Sequence, residues 1–210
     1  MISIKKFIFN SFEVNAYILS DDTKECIIID PACYDDLEKR TLTDYIDSNS
    51  LKPVKLINTH CHVDHLLGNS FVIEKYKLST EIHKAGLPLL GNLKGYGMMF
   101  GINVENIPKP INFIEDNQII RFGNSSLKAI YVPGHADGSL AFYSEEGFVI
   151  VGDVLFYSGI GRTDLPSGNQ SLLINNIKTK LFVLPEKTIV YCGHGPETTI
   201  GFEKENNPFF

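Results

Sequence analysis

Between positions 60 and 65 the chain reads His-Cys-His-Val-Asp-His, so three of its six histidines and one carboxylate fall within six residues. Imidazole nitrogens and carboxylate oxygens are donors that bind zinc, iron or manganese. In an extended segment His60 and His62 project to the same side, because side chains alternate along a strand. Cys61 between them points away and reads as a packed thiol. A turn into a helix after His62 aims Asp64 and His65 at a second point. One short segment can therefore serve two cations.

The remaining donors stand where apolar runs meet turns. His135 follows Pro133 and Gly134, Asp153 follows Gly152, and His194 lies between Gly193 and Gly195. Glycine lets the backbone turn tightly beside a bound group. Five of the six histidines thus sit at the ends of predicted strands. The sixth, His83, reads as structural or solvated, the usual condition of a lone histidine. The candidate metal ligands are His60, His62, Asp64, His65, His135, Asp153 and His194. Unpaired imidazoles have no structural reason to converge on one sheet edge, so a shared ligand is the better explanation.

Positioning these side chains takes two β-rich halves. Residues 2–9, 14–19 and 26–29 read as strands, the last ended by Asp30-Pro31. A surface helix is expected over 34–47, a strand over 53–58, an amphipathic helix over 66–77 and a short strand over 79–83. The second half predicts strands over 118–122, 126–132, 139–143 and 148–151, a helix over 171–184 and a strand over 188–192. The stretch 86–107 mixes Leu89, Leu90, Met98, Met99 and Phe100 with five glycines. It reads as an insertion, either a lid or a buried connecting helix. No long polar linker separates the halves, so residues 1–210 are read as one domain of two packed sheets with helices outside. Asp137, Gly138 and Ser139 are expected to set the turn after His135. Arg162 and Asp164 are expected to form a structural ion pair. Asp30 has two open readings, a turn former before Pro31 and a partner that orients a ligand imidazole from behind.

Composition narrows the functional classes. A 210-residue chain with 43% hydrophobic residues can form a sizeable core. Its formal charge of -6 argues against a basic nucleic-acid groove. The N-terminus lacks a secretory h-region, and no stretch reaches the roughly 18 apolar residues of a membrane span. The four scattered cysteines form no C-x-x-C pair, which suggests reduced thiols and a cytoplasmic location. Oligomeric state has no signature here.

The H-x-H-x-D-H run, the later His135, the Gly152-Asp153 pair and the trio around His194 resemble the metallo-β-lactamase superfamily. The likeness runs from Asn15, Ala16, Tyr17 and Asp30-Pro31 to the C-terminus. Residues 161–164 and 193–201 resemble more narrowly its glyoxalase II-like, hydroxyacylglutathione hydrolase-like branch. The resemblance implies an α+β fold, an αββα four-layer sandwich with metals at one edge of two mixed sheets. It implies that His60, His62 and His135 hold one cation and that Asp64, His65 and His194 hold another, with Asp153 bridging. Two divalent ions follow, zinc by default because thioester hydrolysis needs no redox chemistry, with iron or manganese suited to the same donors.

The activity implied is hydrolysis of a small-molecule thioester by a metal-bridging hydroxide, with Asp64 and Asp153 in the catalytic machinery. The rivals on this scaffold are an iron-dependent persulfide dioxygenase-like oxidoreductase and a β-lactam or phosphodiester hydrolase. Flavodiiron-type members carry Glu where His62 stands, and several true β-lactamases carry Cys or Ser where Asp153 stands. Full-length glyoxalase II enzymes bind glutathione with a C-terminal helical extension, whereas this chain ends at Phe210. It also has only three arginines, Arg40, Arg121 and Arg162. Whether glutathione is the thiol therefore stays open.

Overall fold

Alternation along the strands decides the architecture. In the computed structural model, which describes residues 1–105 and 107–210, β1 (Ser3–Phe9), β2 (Val14–Ser20) and β3 (Glu25–Ile29) pair antiparallel. The helix α1 (Asp36–Ser48) then crosses over to β4 (Lys52–Ile57), which pairs parallel to β3. The helix α2 (Asn69–Tyr76) leads to β5 (Thr80–Ile82), also parallel. Two short helices, α3 (Leu87–Gly91) and α4 (Leu93–Met99), precede the edge strand β6 (Asn112–Phe113).

The second sheet has the order β14-β13-β10-β9-β8-β7. Its strands are β7 (Ile119–Phe122), β8 (Ser125–Tyr131), β9 (Leu140–Ser144), β10 (Phe148–Gly152), β13 (Ile189–Cys192) and β14 (Thr198–Thr199). A small hairpin of β11 (Leu155–Phe156) and β12 (Gly159–Ile160) branches off after β10. The helices α5 (Gln170–Asn176) and α6 (Ile200–Asn206) complete this half.

Three apolar layers hold four structural layers together. Tyr17, Leu19, Ile27 and Ile29 of the first sheet meet Ile120, Leu127, Phe142 and Ile150 of the second. The alternate residues Ala16, Ile18, Cys26 and Ile28 face outward onto Leu42 and Ile46 of α1 and Val72 of α2. On the far side Val149, Val151 and Val190 pack on Leu173 of α5 and Ile200 of α6. Because both faces of each sheet are covered, β3 can be apolar at consecutive positions. The expected four-layer α+β sandwich is the observed one. No described helix is long and apolar enough to cross a membrane.

Several elements differ from their predicted bounds. Where a helix was expected from position 66, a 3-10 turn (Val63–Leu66) precedes α2. Gly68 stands at the junction, where a Cβ would lie 2.0 Å from the Pro31 carbonyl oxygen. The helix expected over 171–184 divides into α5 and a π turn (Ile177–Leu181). The strands β6, β11, β12 and β14 are too short to show a period. The 86–107 stretch forms two short helices and is partly buried and partly exposed. Leu89 and Leu93 are buried with Cys61 and Leu66, whereas Met98 and Met99 are 80% and 75% exposed. Position 106 lies outside the described residues.

Asp21 ties the two halves together at the β2–β3 turn. It accepts hydrogen bonds from the Thr23 N–H and hydroxyl, and from the Asn124 N–H and the Ser125 hydroxyl across the sandwich. Burial opposes its ionisation, but these four donors outweigh it and hold the carboxyl at about 2. A depressed carboxyl stabilises the fold above its unfolded pKa of about 3.9 and ceases to as pH falls through the folded value. Asp21→Asn therefore melts at a lower temperature at neutral pH, and the gap to wild type closes on acidification towards pH of about 2. Thermal melts across that range check it; a gap independent of pH contradicts it.

Candidate metal centre

Each of the seven predicted ligands is delivered to one edge of the sandwich by the end of a strand or the turn after it. The segment after β4 carries His60, His62, Asp64 and His65, and its Thr59 carbonyl accepts from the Leu140 N–H at the start of β9. The turn after β8 carries His135, the end of β10 carries Asp153, and the end of β13 carries His194. The first sheet fixes the last of these. Asn15 donates its N–H to the Gly193 carbonyl, and its amide donates to the Cys192 and Gly195 carbonyls. The Tyr17 hydroxyl donates to Cys192 as well.

Two glycines are required by contact. Gly152 has φ +53, and a Cβ there would lie 2.4 Å from the Thr59 hydroxyl oxygen. A Cβ on Gly193 would lie 2.0 Å from Asp153 Oδ1 and 3.0 Å from the His65 ring.

The side chains form three overlapping groups, each with donor atoms within 4.8 Å of one another: His60, His62 and His135; His60, His65 and Asp153; Asp64, His65 and His194. Asp153 sits between the outer two. Its Oδ2 is 3.7 Å from His135 Nε2 and 3.4 Å from His194 Nε2, and its Oδ1 is 3.3 Å from His65 Nε2. Asp64 Oδ2 is 3.4 Å from His194 Nε2.

Hydrogen bonds from behind fix the imidazole tautomers. His135 Nδ1–H donates to the Arg162 carbonyl at 2.8 Å, and His194 Nδ1–H donates to the Phe12 carbonyl at 2.8 Å. His65 Nδ1–H donates to Asp30 Oδ2 at 3.0 Å. The Thr59 hydroxyl spends its single proton on Asp30 Oδ2 at 2.6 Å, so it accepts from His60 Nδ1–H at 3.0 Å. All four rings therefore turn Nε2 to the centre, bare wherever the ring is neutral. His60 and His135 then aim two lone pairs at each other across 3.3 Å.

That arrangement is the test of fit for a metal. Facing lone pairs repel unless a cation lies between them. His62 Nε2, His65 Nε2 and Asp153 Oδ1 are also buried without a hydrogen-bond partner, each at a cost of about 1–3 kcal/mol. Coordination to divalent ions satisfies all of these atoms at once. The residues fit the group.

The electrostatics divide the cluster. Burial, with neighbouring imidazoles, pushes His60 well below the usual histidine range and His62 to about 4; burial also lowers His135. These three are neutral donors. Burial opposes charge on His65 and His194 too, but Asp153 and Asp64 outweigh it, raising His65 well above its ordinary value and His194 to about 9. Burial likewise opposes ionisation of Asp153 and Asp64, and the positive field of His65 wins, holding Asp153 well below the carboxylate range and lowering Asp64. One end of the cluster is thus an imidazole cage and the other attracts positive charge.

The remaining predictions resolve by position. His83 lies apart, stacked on Tyr131 at 4.0 Å, and its Nδ1 accepts from the Ala85 N–H. Cys61 is buried, and burial pushes its thiol up to about 12. Arg162 and Asp164 form the expected pair, forked at 2.7 Å and 2.7 Å. Asp30 fills both of its readings: its φ of 49° turns the chain before Pro31, while its carboxylate holds His65. Four contributors went unpredicted: Thr59, Asn15, and the carbonyls of Phe12 and Arg162. Backbone acceptors leave no mark in a sequence, and Thr59 was visible only as the neighbour of His60.

In front of the cluster a cavity of about 410 Å³ opens, walled by Phe12, the α3–α4 segment and the 156–166 region.

A four-layer αββα sandwich with histidines and aspartates gathered at its strand ends defines a class of metal-dependent hydrolases. Residues 10–194 match the model of the metallo-beta-lactamase superfamily, and the chain belongs to that superfamily. It is 39% identical to the probable metallo-hydrolase YqgX of Bacillus subtilis, over 94% of this chain and 92% of that one. To the hydroxyacylglutathione hydrolase GloC of Haemophilus influenzae it is 35% identical, over 95% and 93%. Among solved structures it is similar to the BLEG-1 B3 metallo-beta-lactamase, with a TM-score of 0.90 and 32% identity over 99% of both chains.

Proposed function

We propose that this chain hydrolyses small-molecule thioesters at a pair of divalent cations. His60, His62 and His135 would hold one cation and Asp64, His65 and His194 the other, with Asp153 between them. The observation that carries this reading is Asp153 itself, one largely buried carboxylate within 3.7 Å of imidazoles from both groups. A pair of divalent ions held there supplies an acidified water and a Lewis acid for a carbonyl oxygen. Asp64 and Asp153 contribute two negative charges that offset the repulsion between the ions. The Arg162 and Phe12 carbonyls and the Asp30 carboxylate keep the Nε2 atoms aimed inward. A thiol leaves as thiolate, its pKa being about 8.5. The side chains therefore need not include a dedicated acid for the leaving group. The likeness to GloC supports a thioester substrate. Zinc is the proposed metal, since the donors are all nitrogen and oxygen and hydrolysis requires no electron transfer. Four free, buried cysteines fit the reducing cytoplasm.

The test is a substrate panel run on protein of measured metal content. Thioester hydrolysis with about two metal equivalents, lost on chelation and restored by zinc, is the expected result. Oxygen uptake with a persulfide, or turnover of a β-lactam or phosphodiester, with thioesters untouched, would overturn it.

A further inference from the structure

The cavity in front of the metal centre has a one-sided chemistry. Apart from the cluster residues, its wall consists of Phe12, Val63, Leu89, Tyr96, Met99, Phe100, Phe156, Leu165, Pro166 and a single cation, Arg162. That cation is already committed, its guanidinium forked onto the Asp164 carboxylate at 2.7 Å and 2.7 Å. Among the described residues no lysine lines the cavity. An anionic peptide thiol carries carboxylates that call for free cationic forks, and the described wall offers none.

The apolar residues are arranged as a built wall. Phe12 and Phe100 meet edge to face at 5.7 Å, joining the β1–β2 turn to the end of α4. The same Phe12 accepts from His194 through its carbonyl, so a group resting on this ring lies next to the metal cluster. Phe100 and Met99 are nonetheless 47% and 75% exposed, so much of this apolar surface lies open to the cavity. Large exposed apolar residues rimming a polar centre mark a ligand surface. Methionine adapts its shape to varied apolar groups. At roughly 30 Å³ per water-sized group, the volume of about 410 Å³ admits about a dozen heavy atoms.

From this wall we infer that the substrate is a thioester bearing a neutral apolar substituent, aliphatic or aryl, which packs between Phe12, Met99 and Phe100. The inference rests on the thioester-hydrolase reading and narrows it, setting glutathione thioesters below apolar ones. The substituent belongs to either the acyl or the thiol side, and the two arms of the test separate them.

In the first arm, metal-loaded enzyme is given N-acetylcysteamine thioesters of acetyl, butanoyl, hexanoyl and phenylacetyl groups. In the second, acetyl thioesters of ethanethiol, hexanethiol and glutathione are compared. In the arm that carries the substituent, kcat/KM rises about threefold to fourfold per added methylene, equivalent to ~0.8 kcal/mol for each CH2 buried. Phe100→Ala compresses the hexyl-to-short-chain ratio about tenfold, and Phe100→Leu restores most of it. Calorimetry with a non-hydrolysable hexyl thioether gives a second readout, its affinity falling in the same variants. A flat series in both arms, or glutathione thioesters turned over best, overturns the inference while leaving thioester hydrolysis intact. Thioether binding that depends on Phe100, with no thioester hydrolysed, overturns the proposed activity and upholds the apolar ligand.

Discussion

On the two-cation reading, Asp153→Ala should abolish turnover and lower bound metal from about two equivalents to about one or fewer. The reason is geometric before it is electrostatic. Asp153 is the cluster carboxylate that reaches both ends, with Oδ1 3.3 Å from His65 Nε2 and Oδ2 3.4 Å and 3.7 Å from His194 and His135. Its removal leaves three imidazoles at one end and Asp64 as the only carboxylate in the cluster at the other. Two dications a few ångströms apart then repel with little to offset them, since interactions in a water-poor site are several-fold stronger than in bulk. Loss of one oriented charge from such a centre lowers rate by on the order of 10² to 10³, and loss of an ion by more. Asp153→Asn separates shape from charge. It keeps the packing against Gly193 and Gly161, yet its amide nitrogen sets a donor towards one end of the cluster. Metal analysis and kcat/KM on protein with a wild-type circular dichroism spectrum are the measurements. Full turnover by Asp153→Ala with both ions retained would remove the bridging role.

The candidate ligands were legible in the sequence because metal coordination calls for rare side chains at fixed spacing, and the fold brings all seven together. His60, His62, Asp64 and His65 are local, so their register was enough. His135, Asp153 and His194 each stand beside a glycine at the end of an apolar run, and the contacts at Gly152 and Gly193 show why glycine is required there. The layers were legible for a related reason. Both faces of the sheets are covered, which lets Cys26, Ile27, Ile28 and Ile29 be buried in succession.

What escaped prediction was made by tertiary contact. No period in the sequence announces the π turn after Asn176 or the 3-10 turn ahead of Gly68. The hairpin of β11 and β12 has two residues per strand. The carbonyls that set the tautomers of His135 and His194 come from 27 and 182 positions away. The 86–107 stretch defeated a single label because it does two jobs. Leu89 and Leu93 fasten it to the core, and Met99 and Phe100 face the cavity.

Asp30→Asn should disable both ends of the metal centre with the loss of one charge and almost no change in shape. Asparagine tolerates the left-handed backbone at φ 49 about as well as aspartate does, so the turn before Pro31 survives. The carboxylate, however, accepts four hydrogen bonds and donates none. Oδ1 takes the Thr59 N–H at 2.8 Å and the Asn58 amide at 3.2 Å; Oδ2 takes the Thr59 hydroxyl at 2.6 Å and His65 Nδ1–H at 3.0 Å. An amide nitrogen on the first side faces two donors, one of them an N–H of the main chain that cannot turn. On the second side it forces His65 to accept at Nδ1, which moves the proton to Nε2, where a cation would bind. It also turns the Thr59 hydroxyl around, so that the hydroxyl no longer accepts from His60. Partners of this kind behind a ligand imidazole are worth 10- to 100-fold in metal affinity, and the donor conflict costs about 1–3 kcal/mol of fold stability. Titration of metal-free protein with zinc should show both affinities weakened, with kcat/KM down on the order of 10². Thr59→Val isolates one branch, because it removes the hydroxyl behind His60 and leaves the His65 bond untouched; only the first ion should bind more weakly. Wild-type zinc affinity in Asp30→Asn would mean that the cluster orients its own imidazoles and that Asp30 serves the turn alone.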